Sequence, residues 1–205
     1  MNQPENIVDK ESVEKEPMPQ MRLDYLVEVT DKNGKVIQRI AAPSRSFVRQ
    51  WYEVMRTQAA QAGMTIKDTG GTDRGVGISI NNLYAKAGIG VTIYGLRIGK
   101  GTTAVTISDY ALESPIEEGT GLDQFEHQLT TITLPAVVGS TCSFTISRSM
   151  LNSSGATITG IKEIGCYMRM AAAYYGLGFR DVLPSAIYVP HGGAITVTYT
   201  IGVTV

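Results

Sequence analysis

The sequence predicts a mostly β fold, a β-sandwich or barrel-like domain with one amphipathic helix and an N-terminal extended arm. Three observations carry this. β-Branched residues abound, with 21 Thr, 19 Ile and 17 Val among 205 residues; their side chains lose rotamer freedom on a helix but pack well on a pleated surface. Short alternating apolar and polar runs are separated by turn chemistry. Helical periodicity is convincing in one segment alone. The apolar share of 43% suffices for a core. The expected organisation is an arm over residues 1–20 and a single β-rich domain over 21–205, comprising a hairpin plus helix (21–67) and a sandwich core (68–205).

Residues 1–20 carry five acids, two lysines, three prolines and no aromatic residue. Such a stretch buries too little surface to offset its own ordering entropy. Ile7, Val8 and Val13 are its aliphatics, so they are the candidate contacts if the arm docks on a neighbour; a passive tail is the other reading.

Leu23, Tyr25, Val27 and Val29 then alternate with polar residues as a half-buried strand. Asn33-Gly34 supplies the positive φ of a tight hairpin, and Val36 to Ile40 is the return strand. Pro43 with Ser44 or Ser46 marks a helix start. Phe47, Val48, Trp51, Val54, Met55, Ala59 and Ala62 form one stripe of that helix, Arg45, Arg49, Glu53 and Arg56 the opposite side, and Gly63 closes it. Residues 69–77 read as loop. β-like runs are expected over 88–98, 104–107 and 128–134, with a solvated acidic connection (Asp109, Glu113, Glu117, Glu118, Asp123, Glu126) ahead of the last.

Residues 141–150 and 157–170 read as strands joined by a hairpin loop at 151–155. That register sets Cys142 opposite Cys166, where a disulfide and two buried thiols are both open and the thiols are preferred. The final strand, expected to be the longest, alternates Ile195, Val197, Tyr199, Ile201 and Val203 with Thr196, Thr198 and Thr200. One face is core; the threonine face suits solvent or another subunit.

Few signals point to chemistry. A net charge of −1 argues against a nucleic-acid partner. No apolar run of about 18 residues suggests a membrane span, and Met1 to Glu5 lacks the features of a secretory signal. Gly95 to Thr102 fails as a phosphate loop: its first glycine is misplaced, and Gly101 stands where a magnesium-binding hydroxyl is needed. His127 and His191 have no ligand-like spacing, though a His127–carboxylate pair is open. No nucleophile elbow or Cys–His arrangement supports an enzyme. No catalytic residue, metal or cofactor is therefore expected. Tyr174, Tyr175 and Phe179 could form an exposed aromatic loop for stacking on a host surface glycan; a loop whose aromatics cover the sheet edge is the preferred reading.

Three stretches resemble tailed-bacteriophage structural proteins. Leu96 to Thr103, followed by Asp109 to Leu112 and Ile116, resembles a "(V/I)GxGxT" strand-turn ahead of "D-x-x-L-x-x-x-I". Phe144 to Arg148, Asn152 to Gly155 and Ile161 to Tyr167 resemble "F-x-x-x-R … N-x-S-G … I-x-E-(I/V)-G-L-Y", with Cys166 where that family usually has leucine. Arg180 to Leu183, Val189-Pro190, Gly192-Gly193 and Ile195 to Ile201 resemble the ending "R-D-V … V-P-x-G … L-T-V-T-Y-T-I". The matches span roughly 95–205, with weaker echoes at 44–52 and 68–71, and related hairpins occur in attachment domains of phage tail fibres. The resemblance implies a virion component, assembled in the host cytoplasm, whose partners are itself and other virion proteins. The expected place is the tail or neck, as a collar, baseplate or fibre-connecting subunit. A capsid decoration protein clasping shell subunits with its arm is the alternative, and a carbohydrate-binding module the second alternative. Symmetric contacts would run through Ile7, Val8, Val13, Thr196, Thr198 and Thr200.

Overall fold

The computed structural model describes residues 20–44, 46–171 and 173–205. It is mostly β, with one helix. In chain order the elements are β1 (Gln20–Thr30), β2 (Val36–Ser44), α1 (Arg49–Ala59), β3 (Met64–Lys67), β4 (Asp73–Val76), β5 (Gly95–Gly99), β6 (Glu126–His127), β7 (Thr131–Ile132), β8 (Ala136–Val138), β9 (Thr141–Leu151), β10 (Ile158–Met170), β11 (Tyr174–Val189) and β12 (Ala194–Thr204). Residues 1–19 of the expected arm, with Ile7, Val8 and Val13, lie outside the described residues, and Gln20 belongs to β1.

The first sheet has the order β2-β1-β12-β9-β6, and β7 and β8 pair farther along the same edge of β9. The β1–β2 hairpin turns at Gly34, whose φ of 79° only glycine adopts cheaply. β12 is central: Met21 pairs with Val203 on one side and Cys142 with Val203 on the other. The hairpin of the first half and the last strand thus belong to one sheet. Leu23, Tyr25, Val27, Val29, Ile195, Val197, Tyr199 and Ile201 are buried on its inner face.

The second sheet, β11-β10-β5, packs Leu96, Ile98, Ile164, Cys166 and Phe179 into the same core. Its other face is covered in turn. Val54 of α1 and Ile66 and Val76 of the β3–β4 hairpin meet Met168 and Met170, while Val48 and Leu112 meet Tyr167 and Leu177. The molecule therefore has three layers, with the smaller sheet in the middle.

Several expectations need correction. The 151–155 segment is not a hairpin loop. β9 pairs with β12 and β10 with β11 and β5, so the chain passes there from one sheet to the other, and Cys142 does not face Cys166. Both thiols are free. Asn152 is buried at this corner, donating to the carbonyls of Ala156 and Val189, 2.8 Å each. The longest strand is β11, with 16 residues against 11 in β12. Residues 69–77 contribute a strand to a hairpin, 104–107 form none, and 128–134 is broken into separate short pairings.

The helix departs most from its expected stripe. Its buried residues are Gln50, Glu53, Val54 and Thr57, while Met55, Ala59 and Ala62 are exposed. The reason is what it packs on. The Gln50 side chain donates to the Lys67 carbonyl at 2.7 Å and accepts from the Leu177 amide at 2.8 Å. The helix bridges strand edges, whose main-chain groups need polar partners. No side chain caps its start, since Ser44 and Ser46 turn instead to Asp181, and it ends before Gly63, at Ala59.

Candidate assembly interface

The residues singled out in the sequence and those that the structure brings together fall into four groups. The threonine face is the first. Thr196, Thr198 and Thr200 lie on the outer face of the first sheet, half-buried, with no layer over them among the described residues. Directly opposed residues on antiparallel strands share a face, so Thr196 sits beside Ser149, Thr198 beside Ser147 and Thr200 beside Thr145. The hydroxyls bond sideways: Thr196 with Ser149 and Thr198 with Ser147 at 2.7 Å, Thr204 with Thr141 at 2.8 Å. Charge enters this face on β1 and β2, where Arg22 pairs with Asp24 at 2.5 Å and Arg39 with Glu28 at 3.3 Å.

This arrangement has a physical consequence. Covering a hydroxyl costs free energy when its hydrogen bonds to water are not replaced. Here Thr196 and Thr198 already bond to Ser149 and Ser147, one bond per pair, so a second protein covering the centre of the face replaces fewer hydrogen bonds to water than four free hydroxyls would need. The alternation in the sequence was enough to find this face; the lateral pairing depends on which strand lies beside β12.

The aromatic group is not the exposed loop expected. Residues 174–179 open β11, and Phe179 is fully buried, its ring 4.5 Å from Tyr199 and 5.8 Å from Phe47. Tyr175 is half-buried and stacks on Tyr94 at 6.0 Å, while the Arg74 guanidinium covers Tyr174. Phe179 is thereby closed to a glycan, while Tyr174 and Tyr175 keep part of their surface beside Arg74 and Tyr94.

The acidic connection is the third group, and it is anchored rather than merely solvated. Arg180 and Glu163 are both buried and bond at 2.6 Å. Glu163 also accepts from the amides of Gly101, Glu113 and Ser114 at 3.2, 2.7 and 3.1 Å. Arg180 further donates to Asp109 at 2.7 Å and to the Thr103 carbonyl at 3.0 Å. Burial lowers the pKa of Arg180, but its bonds to Glu163 and Asp109 outweigh that and raise it. Burial likewise pushes Asp109 up, and bonds from Thr106 and Arg180 overcome it and hold it down. A β-carbon at Gly99 or Gly101 would stand 2.5 or 2.6 Å from Glu163 Oε2. The glycines, Asp109, Glu163 and Arg180, far apart in the sequence, therefore form one cluster that fixes the 100–116 loop. Sequence spacing gave no sign of their meeting.

A fourth group was only partly foreseen. The buried Arg148 donates to the carbonyls of Gln128, Leu96, Gly88 and Val91 at 2.7, 3.1, 3.0 and 2.8 Å. Burial, then the nearby Arg97, pulls its pKa down to about 10. His127, also buried, places Nδ1 2.9 Å from Glu118 Oε2 and 3.1 Å from the Phe125 carbonyl. Both neighbours are acceptors, so Nδ1 carries the proton. Burial, followed by Arg148 and Arg97, drives His127 down to about 4. His191 lies apart, its Nδ1 accepting from the Gly155 amide at 3.1 Å.

Open clefts of about 330 and 420 Å³ flank Arg180 and Asp181 respectively. Among the described residues no three His, Cys, Asp or Glu side chains are grouped to hold a metal ion, and no helix is long and apolar enough to cross a membrane. No protein-family model, curated protein or solved structure matches the chain.

Proposed function

We propose that this chain is a structural subunit of a tailed-bacteriophage virion, placed in the tail or neck as a collar, baseplate or fibre-connecting subunit and working by symmetric protein–protein assembly. The observation that carries the reading is the open outer face of the first sheet, where Thr196–Ser149 and Thr198–Ser147 hydroxyl pairs satisfy part of their hydrogen bonding before any partner covers them. Interfaces of this kind gain strength from repetition around a symmetry axis rather than from a deep pocket. The resemblance of three stretches to tailed-bacteriophage structural proteins points the same way, and Gly101, Asp109, Glu163 and Arg180 within them meet in one cluster.

Gold-labelled antibody against this chain, applied to purified phage particles, tests the proposal. Label at one vertex or along the tail supports a tail or neck subunit. Label spread over the head replaces that position with capsid decoration. Particles without label overturn the virion reading.

A further inference from the structure

The edge of the first sheet opposite β2 is unusual. All ten residues from Thr131 to Ser140 are exposed. Leu134 is 88% exposed, Val138 79% and Val137 72%. The surrounding sequence carries no charged residue from Gln128 to Ser147. β8 hydrogen-bonds to β9 on one side, and its other side meets no strand among the described residues. Exposed edges are ordinarily blunted by charge, proline or a covering segment. The opposite edge, β2, is guarded in this way: it carries Arg39 and Pro43, and Gln38 is tied to Tyr188 of the second sheet. On the open edge Pro135 guards only the gap between β7 and β8.

The apolar character also runs across strands. Val137 lies opposite Cys142, Cys142 opposite Val203 and Val203 opposite Met21, so the four share one face. Val203 and Met21 are 39% and 42% exposed. This row continues the inner, core-forming face of the sheet past the end of the second layer.

We propose that this edge is where a second copy of the chain docks, β8 against its symmetry mate in antiparallel pairing about a two-fold axis near Val137, which rests on the self-assembly reading above and names its partner. Charge selects this occupant. A residue on a two-fold axis meets its own copy, so a charge there repels itself, and this edge has none. Residues 1–20, the other candidate occupant, carry five acids and two lysines, which an uncharged edge offers nothing to pair. Pairing the mates extends the row to Met21–Val203–Cys142–Val137 twice over and gives β8 its missing main-chain partners.

Analytical ultracentrifugation of the full chain over a wide concentration range, with native-state alkylation of Cys142 in parallel, tests this. Cys142 is part-exposed and lies in the row, whereas Cys166 is buried in the core, so the first thiol reports on the edge with no substitution needed. The expected result is a concentration-dependent dimer in which Cys142 alkylation slows as dimer forms. Val137→Lys should raise the dimer dissociation constant by at least ~10-fold, and Ile80→Lys, at a residue 98% exposed elsewhere, should not. A dimer that ignores Val137→Lys and leaves Cys142 reactive overturns the edge while leaving self-assembly standing. A monomer at every concentration overturns both. A monomer whose Cys142 is protected assigns the edge to the chain's own residues 1–19 instead.

Discussion

The Tyr199 hydroxyl donates to Asp181 Oδ2 at 2.8 Å, joining the central strand of one sheet to the edge strand of the other through the core. Ser44 and Ser46 donate to the same oxygen at 2.8 and 2.9 Å. Burial raises the Asp181 pKa against these three bonds, and burial together with Asp181 raises that of Tyr199. Tyr199→Phe removes only the hydroxyl and should cost about 1–2 kcal/mol in urea unfolding. A variant as stable as the parent would show that the serines suffice.

Arg148 should matter more than any ion pair in the molecule. Its guanidinium satisfies four carbonyls from three segments, at Gly88 and Val91, Leu96, and Gln128. Arg148→Met should destabilise by about 3–5 kcal/mol, since the carbonyls lose buried donors. Arg148→Lys should recover little, because an ammonium cannot reproduce the planar fork. Equal stability of the lysine variant and the parent would mean that charge, not geometry, is what counts.

His127 makes stability sensitive to mild acid. Its folded pKa of about 4 lies below the ordinary 6.5, so the folded state holds it neutral while the unfolded chain takes up a proton. Its favourable contribution is complete above about pH 6.5 and is lost as pH falls toward 4, by roughly 3 kcal/mol in total. His127→Asn keeps a donor near Nδ1 and removes the titration. Unfolding measured from pH 7 to 4.5 should be flatter in that variant; parallel curves would remove His127 as the cause.

Gly101→Ala should loosen the 100–116 loop. The added methyl would meet Glu163 Oε2 at 2.6 Å and the Glu113 β-carbon at 2.7 Å. Overpacking of this kind costs about 1–3 kcal/mol. Limited proteolysis should cut the variant within 100–116 sooner than the parent, and an unchanged digestion pattern would show that the cluster tolerates the shift.

Two free thiols should be counted when the unfolded, unreduced chain is alkylated, because Cys142 and Cys166 stand on strands of different sheets. Burial pushes Cys166 up to about 12, so in the folded protein it should stay unmodified at neutral pH. Rapid labelling of Cys166 without denaturant would contradict its place in the core.

What the sequence made legible follows the reach of each signal. The β1–β2 hairpin was readable because Asn33-Gly34 dictates a turn locally, and β12 because alternation needs no knowledge of partners. The 151–155 corner was not: a turn inside one sheet and a crossing between two sheets use the same residues, and only distant pairing distinguishes them. Gly176 and Gly178 made residues 174–179 look like a loop. They are strand glycines that admit neighbours, with Met170 Sδ and Trp51 Cε3 lying 2.6 and 3.2 Å from where their β-carbons would be. For the candidate interface, the threonine face was legible as a period of two. The bare edge at 131–140 was not, since its exposure has no period and follows from β9 being paired on its other side by β12.

The adjacency of β1 and β12 has a mechanical side. Gln20 pairs with Thr204, so the two strand ends leave the sheet at the same corner. Tension applied between those ends would open the ladder one pair at a time, like a zipper, and would not shear all its hydrogen bonds together. A fold of this design resists force best when tension crosses its faces and edges, with β1 and β12 kept out of the path.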